Sequence, residues 1–209
     1  MNNDKANWLE SDLTQLKKRW ELFRARAMLK HSDTDALRTL IEATPELINA
    51  TDRRGWTLLH SAATRNDLDA MKLLIQKGSD VDVADAHGVT PLHLAVEEGH
   101  EAAVRFLLDK GADTSKQYMD FWTPLHLAAA GNHVNVVEIL LDAGMNVNSR
   151  DEFSMTPLHC AADNGHRATV RFLLDRGADS HAENAEGKTP ADIARKSGHD
   201  NLAEELDIR

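Results

Sequence analysis

One period organises this chain. The tetrad Thr90-Pro91-Leu92-His93 recurs as Thr123-Pro124-Leu125-His126 and again as Thr156-Pro157-Leu158-His159, each copy 33 residues after the last. The register runs back to Thr57-Leu58-Leu59-His60 and forward to Thr189-Pro190-Ala191-Asp192. A strict repeat of this length constrains the fold more than composition can. Each copy must be one supersecondary unit that hides its apolar face against the next, so the units stack along a line.

Within each unit the grammar is helical. Thr90 is a natural N-cap, and Pro91 follows at the first helical position, where its missing N–H costs nothing. A turn comes next, as in Glu98-Gly99-His100 and Asn164-Gly165-His166. The second helix that follows carries Val104, Leu107 and Leu108, then Val137, Leu140 and Leu141 one unit later, a spacing that buries one helical face. Gly78, Gly111, Gly144 and Gly177 each fit the left-handed position that ends such a helix.

Signature, period and glycine positions together resemble the ankyrin repeat family over about residues 52 to 209. A further unit without the signature is expected at 24 to 51, where Asp35 to Glu42 and Leu47-Ile48-Asn49 match a second helix and its exit. The resemblance implies an all-α solenoid of about six helix-turn-helix units with short β-turn fingers, the first and last being degenerate caps. It also implies that another protein is held on the concave face formed by the fingers and first helices. The expected division is an N-terminal amphipathic capping helix over 1–23 and a repeat domain over 24–209.

Composition narrows the function classes. Lys and Arg number 24 against 34 Asp and Glu, and the net −10 argues against a nucleic-acid binder, which needs clustered positive charge. No apolar run reaches the length of a signal peptide core or a membrane span, so the expected setting is the cytoplasm, with the nucleus also open. Eight of the eleven histidines are periodic. His60, His93, His126 and His159 stand in the signature, where the resemblance implies ring hydrogen bonds between adjacent fingers. His100, His133, His166 and His199 open second helices, leaving His31, His87 and His181 outside the pattern. The repeat axis spaces these rings apart, so no metal centre is expected. Cys160 occupies the position of Leu94 and Leu127 and reads as a buried, inert thiol. No nucleophile and base are paired and no phosphate-cradling loop is present, so neither catalysis nor a cofactor is expected.

Specificity in a repeat array is expected where the copies differ. Directly before the signature Thr stand Trp56, Val89, Trp122, Met155 and finally Lys188, an apolar stripe along four successive fingers. Around it lie Tyr118, Met119, Phe121 and Phe153, where the family pattern prefers a polar turn such as Asp85-Ala86-His87-Gly88. Phe121 replaces the glycine outright. Such a cluster reads either as a binding hot spot or as side chains packed on one another to stiffen the hairpins. Flanking charges, Arg53, Arg54 and Arg65 at one end and Glu97, Glu98, Asp120, Glu152 and Asp163 further along, suit a protein segment with an acidic end, an apolar middle and a basic end. The candidate contact set includes His87. Gly144-Met145-Asn146-Val147-Asn148 also resembles the site at which an asparaginyl hydroxylase modifies ankyrin repeats of animals, which implies Asn148 as a modification position.

The first thirty residues obey another rule. Leu9, Leu13, Leu16, Trp20, Phe23 and Ala27 alternate spacings of four and three, one stripe of a helix whose second half is basic. Three uses stay open: capping the apolar edge of the first repeat, pairing with a partner or with its own copy, and lying on an anionic membrane. Capping is the expectation, and a monomer is expected.

Overall fold

The structure, a computed structural model, describes residues 3–117 and 121–208, with side chains from Gln15 onward. Among the described residues it is helical apart from turns and one isolated bridge at Trp122, the helices being α except for a single 3-10 turn at Pro45–Leu47. Helix α1, Asn3–Lys30, is followed by α2, Thr34–Ala43. Five helical pairs then repeat: α3 Leu58–Thr64 with α4 Leu68–Gln76, α5 Pro91–Glu97 with α6 Glu101–Asp109, and α7 Pro124–Ala130 with α8 Val134–Asp142. They continue as α9 Pro157–Asp163 with α10 Arg167–Asp175 and α11 Pro190–Lys196 with α12 Asp200–Asp207. First helices pack on first helices and second on second, so the core is a continuous band between two helical layers.

Each first helix is only seven residues long, far too short to persist alone in water. Two things hold it. Leu58, Leu92, Leu125 and Leu158 are fully buried against their neighbours, as are the small residues Ala62, Ala95, Ala128 and Ala161 that let the helices approach closely. The second is a box at the helix start: the Thr90 backbone N–H donates to His93 Nδ1 at 3.1 Å, and the His93 N–H donates back to Thr90 Oγ1 at 3.4 Å. Because Nδ1 accepts, the ring proton sits on Nε2, which points out of the unit to a carbonyl of the next finger. His60 reaches the Val89 carbonyl at 2.9 Å, His93 that of Lys116 at 3.1 Å, His126 that of Met155 at 3.1 Å and His159 that of Lys188 at 3.0 Å.

A second row of histidines joins the opposite edge. His100 Nε2 meets the Thr64 carbonyl at 3.0 Å, His133 that of Glu97 at 2.9 Å and His166 that of Ala130 at 2.9 Å, each the end of the preceding first helix. Ion pairs between neighbouring second helices, such as Arg171 with Glu205 and Arg176 with Asp142, are exposed and contribute little.

The N-terminal unit departs from expectation. Residues 25–30 of α1 stand one period before 58–63 of α3 and fill the place of a first helix, and Leu22, Ala25 and Leu29 are the side chains buried on α1. The stripe expected to cap the repeats faces away: Leu16 is 58%, Trp20 60% and Phe23 63% exposed, and Ala27 is exposed as well. The reason is register. Ala25 and Leu29 align with Leu58 and Ala62 of the next unit, so the stacking that buries those residues in every unit selects the same face of α1. Arg26 completes the substitution. Its Nη2 donates to the Trp56 carbonyl at 2.9 Å, the bond a signature histidine makes elsewhere, while Nη1 pairs with Asp52 at 2.6 Å. The expected boundary after residue 23 falls inside this continuous helix.

Two outcomes follow. Arg26→Ala leaves a half-buried carboxylate and a carbonyl without their partner and should cost about 1 to 3 kcal/mol, with faster hydrogen exchange in the first finger and unchanged exchange beyond the third. Acidification tests the ladder. Burial pushes the His93 ring down to about 4 from an ordinary 6.5 and lowers His60, His126 and His159 too. The unfolded chain therefore takes up protons first as pH falls, so this contribution is complete above pH about 6.5 and is lost towards 4, by at most about 1.4 kcal/mol per pH unit for each ring. Denaturant unfolding across that window should show the decline, and His93→Asn should flatten its slope; an unaltered slope would contradict the assignment.

Candidate functional site

The fingers are built from short-range hydrogen bonds. In the second, the Asp85 N–H donates to the Val89 carbonyl at 2.9 Å, while Asp85 Oδ1 accepts from the N–H groups of His87 and Val89 at 2.8 and 2.9 Å. Asp52, Asp151 and Asn184 close the first, fourth and fifth fingers in the same way. An acceptor side chain at this position satisfies the turn internally and leaves the residues between free to face a partner.

The third finger breaks this rule. Tyr118 stands where the others have Asp or Asn, and a phenol cannot accept the pair of amides in that geometry. Tyr118, Met119 and Asp120 lie outside the described residues. Phe121 is described, and its φ of +61° matches the left-handed φ of +80° at Gly88 one finger earlier. Ser154 repeats the substitution at +57° in the fourth finger. A bulky side chain in this region costs about 1 to 2 kcal/mol relative to glycine, since its Cβ crowds the following carbonyl.

The stripe itself divides. Trp56, Val89, Trp122 and Met155 are half-buried. The Trp56 indole N–H donates to Asp85 Oδ2 at 3.0 Å and its ring lies 6.1 Å from that of His60, with the Arg54 guanidinium 5.6 Å above. Trp122 lies 6.2 Å from the His126 ring and packs against the core. Asn184 Nδ2 donates to Met155 Sδ at 3.4 Å. Trp56 and Met155 thus connect one finger to the next. Phe121 and Phe153 are different: 58% and 54% exposed, they are the large apolar side chains that the described fingers present to solvent. The backbone beneath Phe153 is fixed, because its carbonyl accepts from the Ala185 N–H of the fifth finger at 2.8 Å.

The flanking candidates spread out. Arg53, Arg54 and His87 are exposed on the first two fingers. Arg65 caps the far end of α3, about 10 Å along the helix from its finger, so it does not join them. Glu97, Glu98 and Asp163 are exposed at the equivalent ends of α5 and α9, and Glu152 on the fourth finger; Asp120 lies outside the described residues. Asn148 sits in the link after α8 with both amide atoms engaged, Nδ2 donating to the Gly177 carbonyl at 3.3 Å and Oδ1 accepting from the Asp179 N–H at 2.9 Å. Cys160 is buried in α9, and burial pushes its thiol well above the usual range. Among the described residues no three His, Cys, Asp or Glu side chains gather as a metal site would need, and no helix is long and apolar enough to cross a membrane.

Arg150 was not legible as a site residue. Its Nη1 donates to the Ser154 carbonyl at 3.1 Å and the Glu183 carbonyl at 2.7 Å, pinning the fourth finger to the fifth. Its one signal is a long donor where the other units have Thr51, Ala84, Gln117 and Glu183.

The family described as ankyrin repeats (3 copies) matches residues 25–118 and again 125–206. This chain belongs to the ankyrin repeat family. The first match starts at the residue where α1 enters the stack. Comparison with curated proteins gave no match. Ankyrin repeats are generally protein-protein interaction modules and typically non-catalytic.

The strain at Phe121 is measurable. Phe121→Gly should raise the thermal midpoint by about 2 to 4 °C, the response to about 1 kcal/mol in a chain of this size. A lowered midpoint would show that the ring packs usefully in the finger.

Proposed function

We propose that this ankyrin repeat protein acts by occupying the surface of one partner protein, which it grips across the fingers and first helices as an adaptor or inhibitor without performing chemistry. The observation that carries the reading is the pair Phe121 and Phe153, two large aromatic side chains exposed on consecutive fingers, one of them held in a backbone conformation that disfavours it. Folding alone does not call for either: the core is complete without them, and glycine at 121 would relax the turn. Aromatic side chains on a preorganised backbone are the composition of a hot spot.

The charges give the segment a direction. Arg53 and Arg54 flank the first finger, whereas Glu152 lies on the fourth; Glu97, Glu98 and Asp163 stand at the far ends of their helices, as Arg65 does, and do not join them. An extended segment with an acidic end over the first finger, an apolar middle on the third and fourth, and a basic end suits them. Trp56 and Met155 support the site by linking neighbouring fingers and Trp122 by packing on the core, and all three offer contact only along their exposed edges.

Selection of linear peptides from a displayed random library on the intact protein tests this directly. Selected peptides should carry that order of charge and lose about tenfold or more in affinity towards a Phe121→Ser, Phe153→Ser variant whose unfolding midpoint is not lowered. Peptides that bind the variant as tightly would refute the assignment.

A further inference from the structure

The tips of the fingers form a row whose charge changes sign along the stack. One position of the turn, repeated every 33 residues, is held in order by Arg54, His87, Asp120, Phe153 and Glu186. Cations stand at the start of this row and carboxylates further on, with one aromatic ring between two carboxylates. Arg54, His87, Phe153 and Glu186 are all exposed, and Asp120 lies outside the described residues.

The backbone brings Phe153 and Glu186 side by side. The Ala185 N–H donates to the Phe153 carbonyl at 2.8 Å, which sets the next residue, Glu186, beside the one that carries the ring. Glu152, also exposed, precedes Phe153 on the same tip. The Glu186 carboxylate takes no part in closing its finger, since the turn uses its backbone N–H, which donates to Asn184 Oδ1 at 2.9 Å. Neighbouring cations are engaged or set lower. Arg150 Nη1 is held by the carbonyls of Ser154 and Glu183, and Lys188 stands at the foot of the fifth finger, where its carbonyl accepts from His159.

We propose that Phe153 and Glu186 form a subsite for one arginine side chain of the partner, laid on the ring with its charge towards the carboxylates. The inference rests on the fingers being the binding face. The face of an exposed ring attracts a cation, and a guanidinium keeps its planar surface on the ring while its N–H groups reach the rim. A purely apolar side chain would cover the same ring but strip water from the carboxylates beside it and supply no partner. Position along the partner follows from the spacing. The fingers spring from first helices, and packed helices lie about 8 to 10 Å apart, so three steps from Arg54 to Phe153 span about 27 Å. At about 3.3 Å per residue, an extended segment places its arginine about eight residues from the acidic side chain on the first finger. Phe121, on the third finger, keeps the apolar contact.

Random linear peptides displayed and selected on the full chain supply the probe. Selected peptides should carry arginine about eight residues from an Asp or Glu. Replacing that arginine by citrulline, which keeps its shape without its charge, should weaken the tightest peptide about tenfold. Glu186→Gln and Phe153→Leu should each reduce this arginine preference about threefold, and Phe153→Trp should raise it. The unfolding midpoint should not move with Glu186→Gln, because the side chain is exposed. A wild-type chain that binds both peptides equally, or a preference unaltered by Glu186→Gln, overturns the subsite. Peptides lost on the Phe121→Ser, Phe153→Ser variant but blind to Glu186→Gln leave the fingers as the binding face and remove the arginine alone. Peptides indifferent to both variants, or no selected peptide at all, remove both readings.

Discussion

A buried imidazole holds each repeat to the next, and the rest of the molecule is arranged so that this ring stays neutral and doubly bonded. Its Nδ1 accepts the N–H of the Thr that begins the same helix, and its Nε2–H donates to a carbonyl of the next unit, at 2.9 to 3.1 Å, the one that ends the next finger in every case but His93, which reaches Lys116. The first bond starts a helix too short to form alone, and the second fixes where the next unit sits. A protonated ring would turn a donor toward the Thr N–H, so the arrangement is available only to the neutral form that burial favours. The loop histidines repeat the principle on the other edge, reaching back instead of forward. Between these two rows the apolar band can be made of Leu, Val and Ala, whose packing is unspecific by itself, because hydrogen bonds set the register.

The unit that lacks the signature shows how strongly that carbonyl asks for a partner. With no histidine in place, Arg26 supplies the donor to the Trp56 carbonyl and uses its second nitrogen on Asp52. Burial works against ionisation of Asp52, yet the N–H of Trp56 and the Arg26 guanidinium hold its carboxyl below the usual range. In the last unit Asp192 keeps the box with Thr189, accepting its N–H at 3.1 Å. The histidine's two bonds are thus made separately at the two ends of the stack, the one to the next finger by a guanidinium and the box by a carboxylate.

Rigidity inside the stack is what gives the exposed aromatics their meaning. A side chain on a mobile loop loses entropy when it binds, whereas Phe153 rides on a finger tied to its neighbour by Arg150 and by the Ala185 N–H. Helix α1 carries the same logic to the end of the stack. One face completes the first unit, and the length left over presents Leu16, Trp20 and Phe23 on a rod already anchored at its base.

Much of this was legible before any coordinate. Period, helix starts, turns and finger positions could be read because each depends on groups within a few residues, and a Thr followed three places later by His announces its own box. The sequence also marked Phe121 as a replaced glycine, and its left-handed backbone agrees with that. Two matters required the tertiary structure. Helix α1 has apolar residues on two faces, so amphipathicity could not choose between Leu16, Trp20 and Phe23 on one and Leu22, Ala25 and Leu29 on the other; packing against the next unit chooses, and the bond from Arg26 to a carbonyl 30 residues away goes with that choice. The stripe before each signature Thr likewise held both readings, since the hydrogen bond that draws the Trp56 indole inward comes from Asp85 on another finger. Local chemistry repeats with the sequence and can be read from it, whereas which apolar face is left for a partner depends on what the neighbouring unit has already covered.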